Sequence, residues 1–132
     1  MENSYPQYIT KEAIEMLDEK LNLAVRDKYS QDWQYEVSDP SRVSEFILFY
    51  EDAILNNEEK FALMSLIISS LDDALEEGYE ISGLWGKISH HLVNEIKIHY
   101  NTIQYWALLE EDLDNCFAVT PLIRDVAKKY LL

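Results

Sequence analysis

Apolar residues recur every three or four positions through most of this chain, which is the spacing of an α-helix. The first such pattern follows Thr10, a good N-cap residue, and predicts a helix that continues close to Lys28. Its apolar positions are Ile14, Leu17, Leu21 and either Ala24 or Val25.

A polar stretch from residue 30 to residue 39 separates this helix from the next one. Trp33, Tyr35 and Val37 occupy alternate positions within it. Alternation of this kind predicts an extended segment laid over the core, or a short strand.

The next two helices are marked by capping signals. Asp39 and Pro40 combine an N-cap acid with proline at the first helical position, and they predict a helix that runs to about Asn56. Asn57 is expected to cap the third helix, and Gly78 to end it. The third helix is apolar nearly all round, which is typical of a central helix. Its apolar residues are Phe61, Met64, Leu66, Ile67, Ile68, Leu71 and Leu75.

The remaining pattern predicts two more helices. One extends from about Gly83 to Leu109, and a helix of roughly 40 Å leaves room for a kink or a break. Thr120 and Pro121 repeat the cap-plus-proline signal and start the last helix. Five helices with short connections predict an all-α, single-domain antiparallel bundle that spans residues 1–132. Three glycines and three prolines are too few for the many turns of a sandwich or barrel.

The charge of the chain restricts its partners. It has 25 acids and 11 bases, a net charge of −14. Such a field repels phosphates and anionic lipids and attracts basic molecules, so we expect no nucleic acid and no membrane as partner. The single cysteine excludes an intramolecular disulfide, and the segment MENSYPQY has no signal-peptide pattern. A cytoplasmic location is therefore expected.

Acidic residues are concentrated in two runs. The first is DDALEEGYE, and the middle third of the chain holds 10 acids and 2 bases. Like charges four residues apart, at a helix C-terminus, are unfavourable, so helix energetics do not explain this run. It is either a solvated face or a contact patch for a basic protein or a cation. The candidate partner-binding acids of the two runs are Asp72, Asp73, Glu76, Glu77, Glu80, Glu110, Glu111 and Asp112.

Aromatic residues add candidate anchors, because such residues often dominate the energy of protein interfaces. Trp33 and Tyr35 lie in a polar connection and are candidates for partner contact, with core packing as the alternative. Tyr105 and Trp106 form a second candidate pair for such an interface, and for Trp106 core packing is the interpretation we adopt.

Candidate chemistry is sparse. His91, Glu95 and His99 lie at four-residue steps and offer ligands for zinc or iron, but the pattern of a di-iron bundle is absent. A plain surface stripe is the alternative. Cys116 lies among acids that disfavour a thiolate, and we find no phosphate-binding loop or nucleophile elbow. The sequence therefore predicts a protein that is not an enzyme and has no cofactor.

The C-terminal part shows a resemblance to a known group of proteins. It combines a Tyr-Trp pair late in a long helix, an acidic loop, and Phe-x-x-Thr-Pro-Leu-x-Arg at the start of the last helix, all within Tyr100 to Val126. This block resembles small acidic immunity proteins of bacterial contact-dependent inhibition and other polymorphic toxin systems. The resemblance implies a non-catalytic inhibitor that binds a toxin domain in the producing cell.

Charge and resemblance together give the leading hypothesis. It is an immunity protein that neutralises a basic toxin domain by acidic surface complementarity, and a nuclease is the toxin we expect. The alternative is a regulatory or adaptor domain that binds proteins but has no toxin partner, and a third hypothesis is a metal-dependent enzyme using the His91 stripe. The oligomeric state is left open by the sequence.

Overall fold

The computed structural model describes residues 6–23 and 32–131, and within these ranges every regular element is helical. Two short 3-10 helices, Pro40–Arg42 and Leu113–Asn115, precede α3 and α7. The all-α class is confirmed, but the described residues form seven α-helices instead of about five. The α-helices are α1 (Lys11–Leu21), α2 (Trp33–Glu36), α3 (Val43–Asp52), α4 (Asn57–Glu77), α5 (Leu84–Asn94), α6 (Ile96–Ala107) and α7 (Thr120–Tyr130).

Two elements differ in kind from the sequence prediction. Residues 33–36 form a helical turn, not an extended segment, because Trp33 and Val37 are both buried and their four-residue spacing is helical. The predicted long fourth helix is broken at Glu95, whose φ of −123° and ψ of 47° lie outside the helical region.

The first helix begins where predicted and ends earlier. Thr10 Oγ1 accepts a hydrogen bond from the Ala13 N–H at 3.1 Å. Asn22 then ends the helix in the left-handed conformation, with a φ of 52°, and its N–H bonds to the Asp18 carbonyl. The expected positions Ala24, Val25 and Lys28 lie outside the described residues.

Capping at the other helices follows the prediction in part. Asp39 accepts from the Ser41 N–H as expected, and Gly78 ends α4 with a φ of 80°. The cap of α4 is Asn56, not Asn57, and it forms a reciprocal capping box with Glu59.

Thr120 also departs from its expected capping role. It is the first residue of α7, and its hydroxyl donates to the Trp106 carbonyl at 2.8 Å. This bond joins the start of α7 to the end of α6.

Helix α4 lies at the centre of the molecule. Every residue from 61 to 72 is buried, and α4 packs against α1, α2, α3 and α6. Helix α7 packs on α5 and α6, and α5 also reaches α3. The prediction of a helix surrounded by others is therefore confirmed for α4. Within the described ranges, no helix has both the length and the apolar character that a bilayer crossing requires.

Candidate protein-binding surface

The first acid of the DDALEEGYE run is part of the interior. Asp72 is 7% exposed, and its Oδ1 accepts a hydrogen bond from the Val119 N–H at 2.9 Å. Burial raises the pKa of this carboxyl above its ordinary value, and the hydrogen bond from Val119 opposes that rise. Asp72 therefore joins the end of α4 to the start of α7, and the expectation that it presents its charge to a partner is corrected.

The other acids of this run lie nearer the solvent. Asp73 is half-buried and accepts a hydrogen bond from Ser38 Oγ at 2.5 Å, while Glu76 and Glu77 are exposed. Glu80 is exposed and accepts from the amide and hydroxyl of Ser82, which lower its pKa. Glu80 thus organises the turn that follows α4.

Negative charge converges at the end of α4. Carboxylate oxygens of Asp72, Asp73 and Glu76 lie within 4.8 Å of one another. In the described part of the chain, Glu76 and Glu77 form no ion pair with a base. Their field is therefore not neutralised by a neighbouring lysine or arginine within that part.

The second acidic run lies on a loop that one arginine holds in place. The Arg124 side chain on α7 donates to the carbonyl oxygens of Ala107, Leu108 and Glu111. The side chains of the acids themselves point to solvent, since Glu110, Glu111, Asp112 and Asp114 are all exposed. The loop presents its carboxylates while its backbone is fixed to α7.

An aromatic cluster joins α2, α6 and the loop before α7. Tyr35 and Tyr105 are 38% and 48% exposed, and their hydroxyl oxygens lie 2.5 Å apart. The Tyr105 ring stacks on Phe117 with centroids 6.1 Å apart, and Phe117 packs on buried Trp106 at 4.4 Å. Burial, followed by the hydrogen bond with Tyr105, raises the pKa of Tyr35, so its hydroxyl stays protonated.

Trp33 and Tyr35, the two aromatic candidates from the segment between α1 and α3, lie in different environments. Trp33 is 1% exposed, and its Nε1 donates to Asp18 at 3.0 Å, so it belongs to the core and not to a contact surface. Tyr35 keeps part of its ring at the surface. The core assignment of Trp106 is confirmed.

We group the following exposed and half-buried residues under one name, the acidic–aromatic surface: Tyr35, Asp73, Glu76, Tyr105 and Phe117. Tyr35 and Ser38 come from α2 and the segment after it, and they meet Tyr105 and Asp73 respectively. Phe117 lies two residues before Val119, the partner of Asp72. The segment of residues 35–38 therefore contacts both the aromatic cluster, through Tyr35, and the acids at the end of α4, through Ser38.

His91, Glu95 and His99, which the sequence offered as possible metal ligands, do not meet as one ligand set. His91 Nε2 lies 2.7 Å from Glu51, and Glu95 accepts from Lys60 and Tyr50. Among residues 6–23 and 32–131, one group of three residues places potential metal-binding atoms within 4.8 Å of one another. It consists of Asp72, Asp73 and Glu76. The break in the helix at Glu95 places the histidines on two helices, α5 and α6. The stripe forms internal polar contacts instead.

The state of His99 follows from its partners. Tyr50 donates its hydroxyl hydrogen to Glu95 at 2.6 Å, so His99 Nε2, 2.7 Å from the same hydroxyl, must carry a hydrogen and donate. His99 Nδ1 is buried, and no hydrogen-bond partner for it lies within residues 6–23 and 32–131. Burial lowers the pKa of His99 to about 4, and the nearby Glu95 carboxylate opposes this. The imidazole is therefore neutral near pH 7.

The sequence identified Tyr105 as part of a candidate aromatic pair, but it did not identify two other residues of this region. Phe117 and Arg124 were not candidate contacts, although the Phe-x-x-Thr-Pro-Leu-x-Arg pattern contains them. Cys116 is half-buried, and its thiol donates to the Asp112 carbonyl.

Comparison of the chain with protein-family models, with curated proteins and with solved structures found no match.

Proposed function

We propose that this chain is a non-catalytic immunity protein, a cytoplasmic helical bundle that binds and neutralises a basic toxin domain. The observation that carries the proposal is the acidic–aromatic surface, where Tyr35 and Tyr105 are exposed and Ser38, three residues after Tyr35, bonds to Asp73 at the acidic end of α4. Tyrosines at the centre of an interface supply contact energy, and carboxylates around them select a basic partner.

Charge favours a nuclease as the toxin. Nuclease domains hold phosphates, so their working surfaces are basic, and an acidic domain is complementary to such a surface. With a net charge of −14, the chain also attracts a basic partner over a distance, which speeds encounter. Binding over the substrate groove would block the toxin without any chemistry by this chain.

A growth assay tests the proposal. An immunity gene is expected beside a toxin-encoding reading frame, so the domain encoded there is expressed in bacteria with or without this chain. We expect growth arrest by the toxin domain alone and growth with the wild-type chain. The variant Asp73→Asn/Glu76→Gln/Glu77→Gln should protect less.

A matched variant controls for net charge. Glu12, Glu15 and Glu19 are exposed on α1, so Glu12→Gln/Glu15→Gln/Glu19→Gln removes the same charge elsewhere. This control should protect like the wild type. Equal loss by both triple variants would refute the assigned surface. Absence of any toxic neighbour would favour the adaptor alternative.

A further inference from the structure

A groove lies between α5 and α7 and shares no residue with the acidic–aromatic surface. Its volume is about 420 Å³, within the range of about 300–1,000 Å³ that is typical of ligand pockets. Trp85, Val93 and Tyr130 supply apolar lining. Trp85 and Val93 are half-buried and Tyr130 is 49% exposed, so the described part of the chain leaves this apolar area partly uncovered.

The lining follows one face of each helix. On α5 it consists of positions 85, 89 and 93 and the residue after each, and on α7 of positions 125 and 129 and the residue after each. Residues four apart lie above one another on a helix, so the groove follows α5 over roughly 14 Å at about 1.5 Å per residue. A groove with this spacing on both sides accepts the row of side chains of a third helix.

Gly86 opens the α5 side of the groove. A Cβ atom placed there would meet no atom of the described residues within 4 Å, so packing inside the chain does not require a glycine. Glycine is unfavourable within a helix relative to alanine, and close approach of another backbone is one reason to keep it. A helix docked against α5 would supply that reason.

Positive charge is concentrated on the two helices of the groove. Acids outnumber bases in the chain by 25 to 11, yet α5 and α7 together contain one acid, Asp125, and four bases. The bases are Lys87, Arg124, Lys128 and Lys129. Among the described residues, the three lysines form no ion pair with an acid. Their charge is therefore available to a partner.

Helix stability explains only part of this charge. Lys128 and Lys129 lie in the last turn of α7, where cations are favourable. Lys87 lies in the first turn of α5, where the helix dipole disfavours a cation, and exposed His90 lines the groove three residues later. The bases on α5 therefore need another reason, and recognition of an anionic group supplies it.

We propose that this groove binds an amphipathic helix of a second, acidic partner. The apolar stripe of that helix packs on Trp85, Val93 and Tyr130, and its carboxylates pair with Lys129 and His90. Lys129 Nζ lies 5.9 Å from the centre of the Tyr130 ring, so charge and apolar area meet at one end of the groove. A basic helix would place its cations against the lysines, where like charges repel. The partner is thus chemically distinct from the basic toxin of the proposed function.

A peptide display library tests the proposal without the toxin. Its members are peptides of about 18 residues with leucine at helical spacing and with glutamate, lysine or glutamine in equal proportion elsewhere. Clones that bind the wild-type chain are counter-selected on Gly86→Leu, whose side chain occupies the groove. This variant should melt at the wild-type temperature or above it, because the site is open and leucine favours a helix. Among clones that need the open groove, glutamate should exceed lysine at least threefold.

The most enriched peptide is then titrated into the full chain. Two-dimensional NMR should show saturable amide shifts centred on residues 85–94 and 125–130. Lys128→Gln/Lys129→Gln should weaken binding about tenfold, because it removes the charges that face the carboxylates. Lys11→Gln/Lys20→Gln removes the same charge from exposed positions on α1 and should bind within about twofold of the wild type.

Three results would overturn the proposal: no clone that depends on the open groove, lysine enriched over glutamate among such clones, or equal weakening by the two lysine pairs. A dimer of the free chain that Gly86→Leu dissociates, seen by sedimentation, would assign the groove to a second copy and would also overturn it. The growth assay is independent, since Gly86→Leu should protect against the toxin like the wild type. Failure of the groove and failure of the proposed function are therefore distinguishable.

Discussion

At the scale of single residues, neighbouring acids of the same run have different roles. Asp72 is buried and bonded to Val119, whereas Glu76, one helical turn later, is exposed. The sequence predicted the excess of charge but not this division, because it follows from the packing of α7 against the end of α4. Only the acids of this run from Asp73 onward can therefore present their charge to a partner.

The role of Asp72 gives a test at one position. Asp72→Asn keeps an acceptor for the Val119 N–H and removes a buried charge near Asp73 and Glu76, so we expect little change in stability. Asp72→Ala leaves that N–H unpaired and should cost about 1–3 kcal/mol of unfolding free energy. Urea unfolding of both variants at pH 7 measures the difference. Equal stability of Asn and Ala at this position would contradict the assigned hydrogen bond.

His99 gives a prediction about pH. Its pKa is lowered in the folded state from 6.5 to about 4, so the unfolded chain binds the proton more readily between these values. The unfolding free energy should therefore fall as the pH drops from about 6.5 to about 4, by about 3 kcal/mol. The groups that face His99 are Tyr50, Glu95, Lys60 and His91.

The variant His99→Gln retains a donor for Tyr50 and does not titrate. The loss of unfolding free energy over this pH range should be smaller in the variant by about 3 kcal/mol. The raised pKa of Asp72 acts in the opposite direction, but it is present in both proteins and cancels in the comparison. Parallel pH profiles for the two proteins would show that His99 does not cause the loss.

At the scale of elements, Arg124 controls the loop between α6 and α7. Replacing it with alanine leaves the carbonyl oxygens of Ala107, Leu108 and Glu111 without its donors. We expect a loss of about 1–3 kcal/mol in stability and faster amide hydrogen exchange in residues 108–117.

Lys128→Ala, at an exposed position on the same helix, is the matched control and should leave that loop unchanged. Hydrogen exchange measured by mass spectrometry reports both variants. Unaltered exchange in the loop of Arg124→Ala would contradict the anchoring role.

An element could be predicted from the sequence when the residues that determine it are neighbours in the chain. Helix α4 was predictable because its apolar residues and its glycine stop are local in the sequence. The length of the next pattern left room for a break, but the position of that break at Glu95 was not predictable. Glutamate is a good helix former, and its partners Tyr50 and Lys60 are 45 and 35 residues away. The turn at Trp33 was misjudged because three alternating residues are too short a pattern to decide between helix and strand.

At the scale of the molecule, the sequence showed that the protein is acidic. It did not show which residues form the acidic–aromatic surface. Tyr35 and Tyr105 are 70 residues apart in the chain, and their contact depends on the packing of α2 and α6 around α4. A run of charged residues can be recognised in the sequence, whereas the contact between two tyrosines on different helices can be recognised only in the fold.

The central claim is that carboxylates of the acidic–aromatic surface attract a basic toxin domain. Stopped-flow measurement of the association rate with that domain, as a function of ionic strength, tests it most directly. The Asp73→Asn/Glu76→Gln/Glu77→Gln variant should associate about tenfold more slowly than wild type at low salt. The α1 control triple should be slowed less than twofold.

The difference between the two triple variants should vanish near 1 M salt, where the screening length is about 3 Å. That result would establish the end of α4 as the electrostatic face of the complex. Equal rates for the two triple variants at low salt, or a difference that salt does not reduce, would contradict the account.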